Sequence, residues 1–365
     1  MTGSAAARLA FALLTGVGLG FWLRDRQVVS ETPGQAPIAV TGPSAAAPSE
    51  VRLDPEPLLA NLAATRDFLS RWFPALAAGE EPKAPDYSPE RVLYDQYRLV
   101  DEALAALRPQ TPGHTDLYVV AFAGDGDENV FRNEVEYVDK LFSERYGARD
   151  RVVVLANNPA TVETRPLATW TNLELVLDGL LEHDRFDPDE DILLLFMTSH
   201  GDEEHNLYVG MDLMPLDWIA AEDLSRTLSA RPFRWRVSII SACYSGGFLE
   251  GLKNSTSMVI TAARADRTSF GCGVDSDITY FGKAFLVEGL NQTDTFRGAF
   301  EIARQLVGDW ERAENQPASE PQIASTPLIE AKLAQWRRGV TLGPVQPFAV
   351  AADASSRSEA SSARP

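Results

Sequence analysis

Residues 191–201 read Asp-Ile-Leu-Leu-Leu-Phe-Met-Thr-Ser-His-Gly, and residues 236–247 read Arg-Val-Ser-Ile-Ile-Ser-Ala-Cys-Tyr-Ser-Gly-Gly. Each begins as a short apolar run and ends in small and polar residues. An apolar run without alternation suits a strand covered on both faces, the condition inside a parallel sheet. Similar runs occupy 116–122, 151–155 and 257–262. Helical apolar spacing fills about 131–146, 170–182, 217–229 and 246–252, with more helix expected after 280. Strands alternating with helices predict an α/β fold, a mostly parallel sheet flanked by helices in an α/β/α sandwich. Leu207–Gly210 is expected to add a small hairpin arm.

In an open α/β sheet, ligands gather at the carboxyl ends of the strands. One of the two quoted strands delivers Ser199-His200-Gly201 there, and the other delivers Ala242-Cys243-Tyr244. A single intervening helix makes a right-handed crossover, which sets the two strands side by side and brings His200 and Cys243 to one edge. A thiol beside an imidazole is the pair required for nucleophilic catalysis: the thiolate attacks and the imidazole carries the proton. A turn leading into a helix favours the thiolate through the helix dipole. The backbone amides of Gly201 and Cys243 are candidates for an oxyanion hole. Ala242, Gly246 and Gly247 are expected to let a substrate backbone approach. The competing reading takes Cys243 as a small core residue closing an apolar strand. The strand-ending His-Gly of the preceding unit tips the balance towards chemistry.

Composition sets the bounds around this pair. The chain has 365 residues, with 33 Lys and Arg against 52 Asp and Glu, a net charge of −19. That argues against nucleic acid or an anionic lipid surface as the main partner. Two cysteines, Cys243 and Cys272, exclude a disulfide framework and a four-cysteine zinc site. His200 and His205 are five apart in an expected loop, not four apart on a helix, so no metal is expected there. The acidic stretch Asp125-Gly-Asp-Glu-Asn129 has Val130 where a calcium loop would turn, and is read as the rim of the site. Ser245 lacks the surroundings of a nucleophile elbow. Cys272 is read as a buried or loop cysteine, with no disulfide to Cys243 in the active form. His114 and His183 are read as structural or exposed.

The ends differ from the middle. Leu9–Leu23 is uncharged and is followed by Arg24-Asp25-Arg26. Its length is short for a bilayer, so residues 1–26 are read as a signal anchor with snorkelling arginines, or as a signal peptide. This predicts a single-pass membrane tether with an extracytoplasmic, periplasmic catalytic domain, or secretion if the segment is cleaved. Residues 27–50 are rich in Pro, Ala, Thr and Ser and read as a disordered linker, 51–112 as a helical extension packed on the main domain, 113–342 as the main α/β domain, and 343–365 as a disordered tail.

With these residues in view, the chain resembles the legumain (asparaginyl endopeptidase, haemoglobinase) family of cysteine peptidases, in the caspase-like clan. The strand-borne Ser199-His200-Gly201 and Ala242-Cys243-Tyr244-Ser245-Gly246 carry the resemblance. Val130-Phe131-Arg132-Asn133 is similar to the family's Asn-Tyr-Arg-His, Thr268-Ser269-Phe270-Gly271-Cys272 to its Ser-Ser-Tyr-Ala-Cys, and Thr279-Tyr280-Phe281-Gly282 to its Thr-Tyr-Leu-Gly. The resemblance covers about 115–325 and leaves the N-terminal helices outside. It implies a caspase-like fold and hydrolysis of peptide bonds in protein substrates, with Cys243 as nucleophile, His200 as proton donor and no cofactor. It also implies that Arg132 lines the primary specificity pocket. Two departures bear on that pocket: Tyr244 replaces a glutamate after the cysteine, and Lys283 replaces the pocket aspartate. Both imply a preference displaced from asparagine towards acidic or otherwise non-Asn residues, unless Asp275 and Asp277 restore the balance. The same thioester chemistry serves a transpeptidase, as in the catalytic subunit of GPI transamidase. A catalytically silent caspase-like scaffold is the reading from a different class.

Overall fold

In the computed structural model, residues 87–211, 214–273 and 276–350 are described. The expected anchor, the linker and the helix at 56–78 lie outside these residues. Among the described residues, no helix is long and apolar enough to cross a membrane.

The apolar runs form the strands predicted for them. β1 spans Leu117–Ala123, β2 Val152–Ala156, β3 Ile192–Thr198, β6 Trp235–Ser241 and β7 Ser257–Thr261. Together with the short β8, Gln322–Ala324, they make a six-stranded sheet in the order β2-β1-β3-β6-β7-β8, parallel except for β8 at one edge. Burial on both faces explains the unbroken apolar runs. Val119, Ala121 and Ala123 of β1 enter one core, while Tyr118, Val120 and Phe122 enter the other. Each fully buried Val, Leu, Ile or Phe contributes about 1.5–3 kcal/mol.

Helices cover both faces. The first core takes its helical side chains from α3 (Asn129–Glu144), α8 (Phe296–Ala313) and α9 (Pro327–Gly339). It also takes them from α7, which runs Tyr280–Gly282, continues as a π-helix over Lys283–Gly289 and ends at Leu290–Gln292. The second core takes them from α2 (Gln96–Ala105), α4 (Trp170–Leu180), α5 (Ala221–Ser229) and α6 (Gly247–Leu252). The short α1 (Pro89–Tyr94) opens on Ser88, whose hydroxyl caps Arg91 N, with proline in its first turn. α2 packs on the sheet through Val100 and Leu104, and its Gln96 accepts from Leu167 N and Asn172 Nδ2, both at 2.7 Å. The described part of the extension, from residue 87, is thus packed on the sheet.

Two expectations need correction. The helix expected from 217 starts at Ala221, because 214–220 forms β5 of an antiparallel hairpin with β4, Asn206–Met211. Leu207 pairs with Ile219 there, so the apolar residues before Ala221 satisfy a strand period and not a helical one. The tail expected to be loose from 343 is held as far as 350. Arg145 Nη1 donates to Gly343 O at 2.8 Å, Tyr137 Oη to Gln346 O at 2.7 Å, and Phe348 packs edge-on against the Tyr137 ring at 5.5 Å. Buried polar groups of α3 capture these carbonyls, which composition alone does not reveal. Residues 351–365 lie outside the described ones.

Candidate active site

β3 and β6 are neighbours in parallel register, with Thr198 opposite Ser241. The residues that follow them, His200 and Cys243, therefore emerge at the same carboxyl edge. Ser199 N donates to Ser241 O at 3.3 Å, and its hydroxyl donates to Tyr208 O at 2.6 Å, which fixes the exit from β3 against the hairpin. The backbone of Gly201 passes so close to Cys243 that a Cβ on Gly201 would lie 2.2 Å from Cys243 O. Only glycine fits that approach. Among the described residues, neither the Gly201 nor the Cys243 amide donates to a protein acceptor.

The turn after Cys243 differs from the expectation in one respect. A Cβ on Gly246 would meet Ala265 N at 2.4 Å, and one on Gly247 would meet the His205 ring at 2.1 Å. These glycines make room for the protein's own loops, not for a substrate. Tyr244 adopts a left-handed φ of 54°, held by its N–H to Arg267 O at 2.7 Å. Its hydroxyl reaches Glu203 Oε1 at 3.3 Å, across the acidic 202–204 loop at the rim. Ser245 is fully buried and its hydroxyl accepts from Ala263 N at 3.0 Å, which removes it as a nucleophile.

The environment of Cys243 lies in the 269–272 loop. Ser269 N donates to Cys243 Sγ at 3.3 Å, and both cysteines are free thiols. The Cys243 thiol is lowered to about 6. The first cause is a hydrogen bond from the Cys272 thiol; burial opposes it, and Ser269 and the charge of His200 add to it. The Cys272 thiol is pushed up correspondingly, chiefly by that same bond. The thiolate is thus stabilised by a second cysteine and a backbone N–H. The helix behind it, α6, has only 6 residues.

His200 is partly buried, with the Phe131 ring edge-on at 5.1 Å. Its Nε2 lies 2.6 Å from Glu128 Oε2 and 3.7 Å from Asp125 Oδ2. Burial disfavours the charged imidazole, but the Glu128 hydrogen bond and the charges of Asp125, Glu128 and Cys243 hold its pKa above the ordinary value. Asp125 is itself raised to about 6, by burial first, with the His200 charge and the Asp127 N–H at 2.7 Å working against that. Donor atoms of Asp125, Glu128 and His200 lie within 4.8 Å of one another. The His200 nitrogen meets Glu128 directly, so the three form a carboxylate–imidazole cluster.

Beneath this edge lies Glu134 of α3, fully buried. Its Oε1 accepts from Thr279 N at 3.0 Å and from the Thr279 hydroxyl, and that hydroxyl lies 3.3 Å from the Ser241 hydroxyl. Glu134 thereby ties α3 to the start of α7, and through Thr279 to the end of β6. Burial raises its pKa despite these bonds, which favours the uncharged acid.

The remaining predicted site residues, Arg132 and Lys283, have the following surroundings. Arg132 is buried and donates to the neutral side-chain oxygens of Asn158 at 3.2 Å and Asn133 at 3.3 Å. It borders a cavity of about 930 Å³ with Glu136, Lys140 and Arg165, a cavity lined by neither His200 nor Cys243. Lys283 is exposed, its ammonium 5.2 Å from the centre of the Trp310 ring. Asp277 is exposed, its carbonyl accepting from Asn133 Nδ2 at 3.0 Å, and Asp275 lies outside the described residues. Glu128, Ser269, Cys272 and Glu134 are the neighbours that sequence reasoning did not assign. The acidic 125–129 stretch had been placed at the rim. The available signal was that β1 is parallel to β3, so the residues after Ala123 must reach the same edge.

The helix-covered, mostly parallel sheet thus brings an imidazole and a stabilised thiol to one edge, the two groups that thiol nucleophilic chemistry requires. The Peptidase C13 family model matches residues 186–330, a stretch that contains both His200 and Cys243. The resemblance to the legumain-type peptidases is therefore established over that stretch. Similar solved structures include caspase-1 from Spodoptera frugiperda, at 14% identity and a TM-score of 0.40, covering 60% of this chain and 93% of that one. Another is a structure of pro-sf-caspase-1, at 13% identity and a TM-score of 0.38, covering 58% and 92%. Among curated proteins no significant match is found.

Proposed function

We propose that this protein is a cysteine endopeptidase acting through Cys243 and His200. The observation that carries the reading is the emergence of both residues from adjacent parallel strands, beside two free backbone amides. Cys243 Sγ attacks the scissile carbonyl carbon, and the oxygen takes up charge facing the Gly201 and Cys243 amides. As the C–N bond breaks, His200 gives its proton to the leaving amine. Water then attacks the thioester, passes a proton to His200 and releases the thiolate. Transfer to an amine instead of water uses the same intermediate and is the second outcome to be scored. The uncharged Leu9–Leu23 segment supports a tethered, extracytoplasmic placement.

Tyr244, in place of the family's glutamate, supports a preference displaced from asparagine, towards an acidic residue on the acyl side of the cleaved bond. A peptide library cleaved by the full chain tests this. Cuts after Asp and Glu are expected, and a dominant cut after Asn contradicts the preference.

The pH profile follows from the pair. Activity should rise as Cys243 ionises through about pH 6 and fall as His200 loses its proton above the ordinary imidazole value. Because the Cys272 thiol is the first cause of the low Cys243 value, Cys272→Ala should move the rising limb to higher pH. A kcat/KM profile of that variant superimposing on wild type would remove Cys272 from the account.

A further inference from the structure

Glu128 is the residue immediately before α3, in extended backbone, and its side chain makes no capping bond to the helix. Instead Oε2 meets His200 Nε2 at 2.6 Å, a short, charge-assisted contact. The ring is held in place as well by the Phe131 edge at 5.1 Å. With Nε2 committed to the carboxylate, Nδ1 is the nitrogen left to exchange a proton with sulfur and the leaving amine. A carboxylate behind an imidazole selects the tautomer and stabilises the imidazolium formed in the cycle.

We propose that Glu128 is a positioning residue of this site, fixing the His200 ring through Nε2 and holding it protonated beside the Cys243 thiolate. The inference rests on the reading of Cys243 and His200 as the reacting pair. The charged and titratable groups facing His200 are Glu128 from the turn before α3, Asp125 from the loop after β1 and Cys243 from the turn after β6. Asp127 acts one step removed, its N–H bonding the Asp125 carboxylate at 2.7 Å. Asp125, 3.7 Å from Nε2, adds its charge without a hydrogen bond to the ring. Glu128 therefore supplies orientation as well as charge, and Asp125 charge alone.

This division separates the two carboxylates experimentally. Glu128→Gln should lower kcat by about 10²-fold with KM nearly unchanged, since general acid–base positioning is worth that order. It should also move the falling limb of the pH profile to lower pH, because the imidazolium loses its partner. Asp125→Asn should move that limb the same way with a smaller loss in kcat, and Glu128→Asp should recover part of the rate. A second readout needs no substrate: alkylation of Cys243 by iodoacetamide against pH, followed by mass spectrometry of the Cys243 peptide. In Glu128→Gln the thiolate should appear at higher pH than in wild type, with the thermal midpoint little changed. A Glu128→Gln protein with wild-type kcat, pH profile and alkylation curve overturns the proposal, as does a loss confined to KM. If Cys243→Ala is inactive in the same assay while Glu128→Gln behaves as wild type, only Glu128 is misassigned. If Cys243→Ala keeps wild-type hydrolysis, the underlying reading fails and this inference with it.

Discussion

Cys243→Ala should reduce peptide hydrolysis by about 10⁴-fold or more, the scale seen when a nucleophile is removed from a preassembled site. The fold should survive. Cys243 is partly exposed, and its sulfur contacts the Ser269 backbone and hydroxyl and the Cys272 thiol, not an apolar core. The residual rate reports what Gly201, the Cys243 amide and substrate binding supply without a nucleophile. A further consequence distinguishes a thiolate site from an inert thiol. In wild type the Cys272 thiol is raised because it donates to Cys243, so in the variant Cys272 should titrate lower and alkylate faster at neutral pH. Activity within ten-fold of wild type, with unchanged Cys272 reactivity, would place the chemistry elsewhere.

Glu134→Ala is expected to have the largest effect on stability, roughly 3 kcal/mol or more. The truncation leaves a cavity and deprives the buried Thr279 N–H and hydroxyl of their shared acceptor. It also loosens the junction of α3, α7 and the end of β6 on which the site stands, so activity should fall with stability. Glu134→Gln behaves differently, because an amide reproduces the shape and the donor–acceptor pattern of the uncharged acid. The sign of the pH dependence follows from the raised folded pKa. The native state keeps a proton that the unfolded chain releases near the ordinary value of 4.5. The contribution of Glu134 is therefore fully present below that pH and is lost as pH rises through the folded value. Denaturant titrations of wild type and Glu134→Gln should diverge with rising pH, the variant losing less. Parallel curves would mean that Glu134 is ionised and paired in the folded state.

Most of the sheet was legible from the chain because burial on both faces writes itself as unbroken apolar runs. Every predicted strand of the sheet lies within a residue or so of the observed one. Register followed from the single-helix crossover between the quoted strands, which makes β3 and β6 neighbours and carries His200 and Cys243 to one edge. What escaped was set by side-chain direction and by long-range meetings. Glu128 precedes a helix and turns away from it, a choice made by His200, 72 residues on. Ser269 and Cys272 reach Cys243 through a loop 26 residues later whose path no periodicity describes. The meeting of the Lys283 ammonium with the Trp310 ring likewise depends on a later helix, which analogy does not indicate. The hairpin at 214–220 took residues with helical spacing because Leu207 and its neighbours offered a strand to pair with.

The central claim is that Cys243 is a thiolate nucleophile served by His200. A peptidyl electrophile bearing an acidic residue next to its warhead, incubated at limiting concentration with the full chain and followed by peptide mapping, tests it most directly. The account predicts one adduct, on Cys243, competed by a cleavable peptide and slowed strongly in His200→Ala. An adduct on Cys272 instead, or labelling of Cys243 at the same rate without His200, would contradict it.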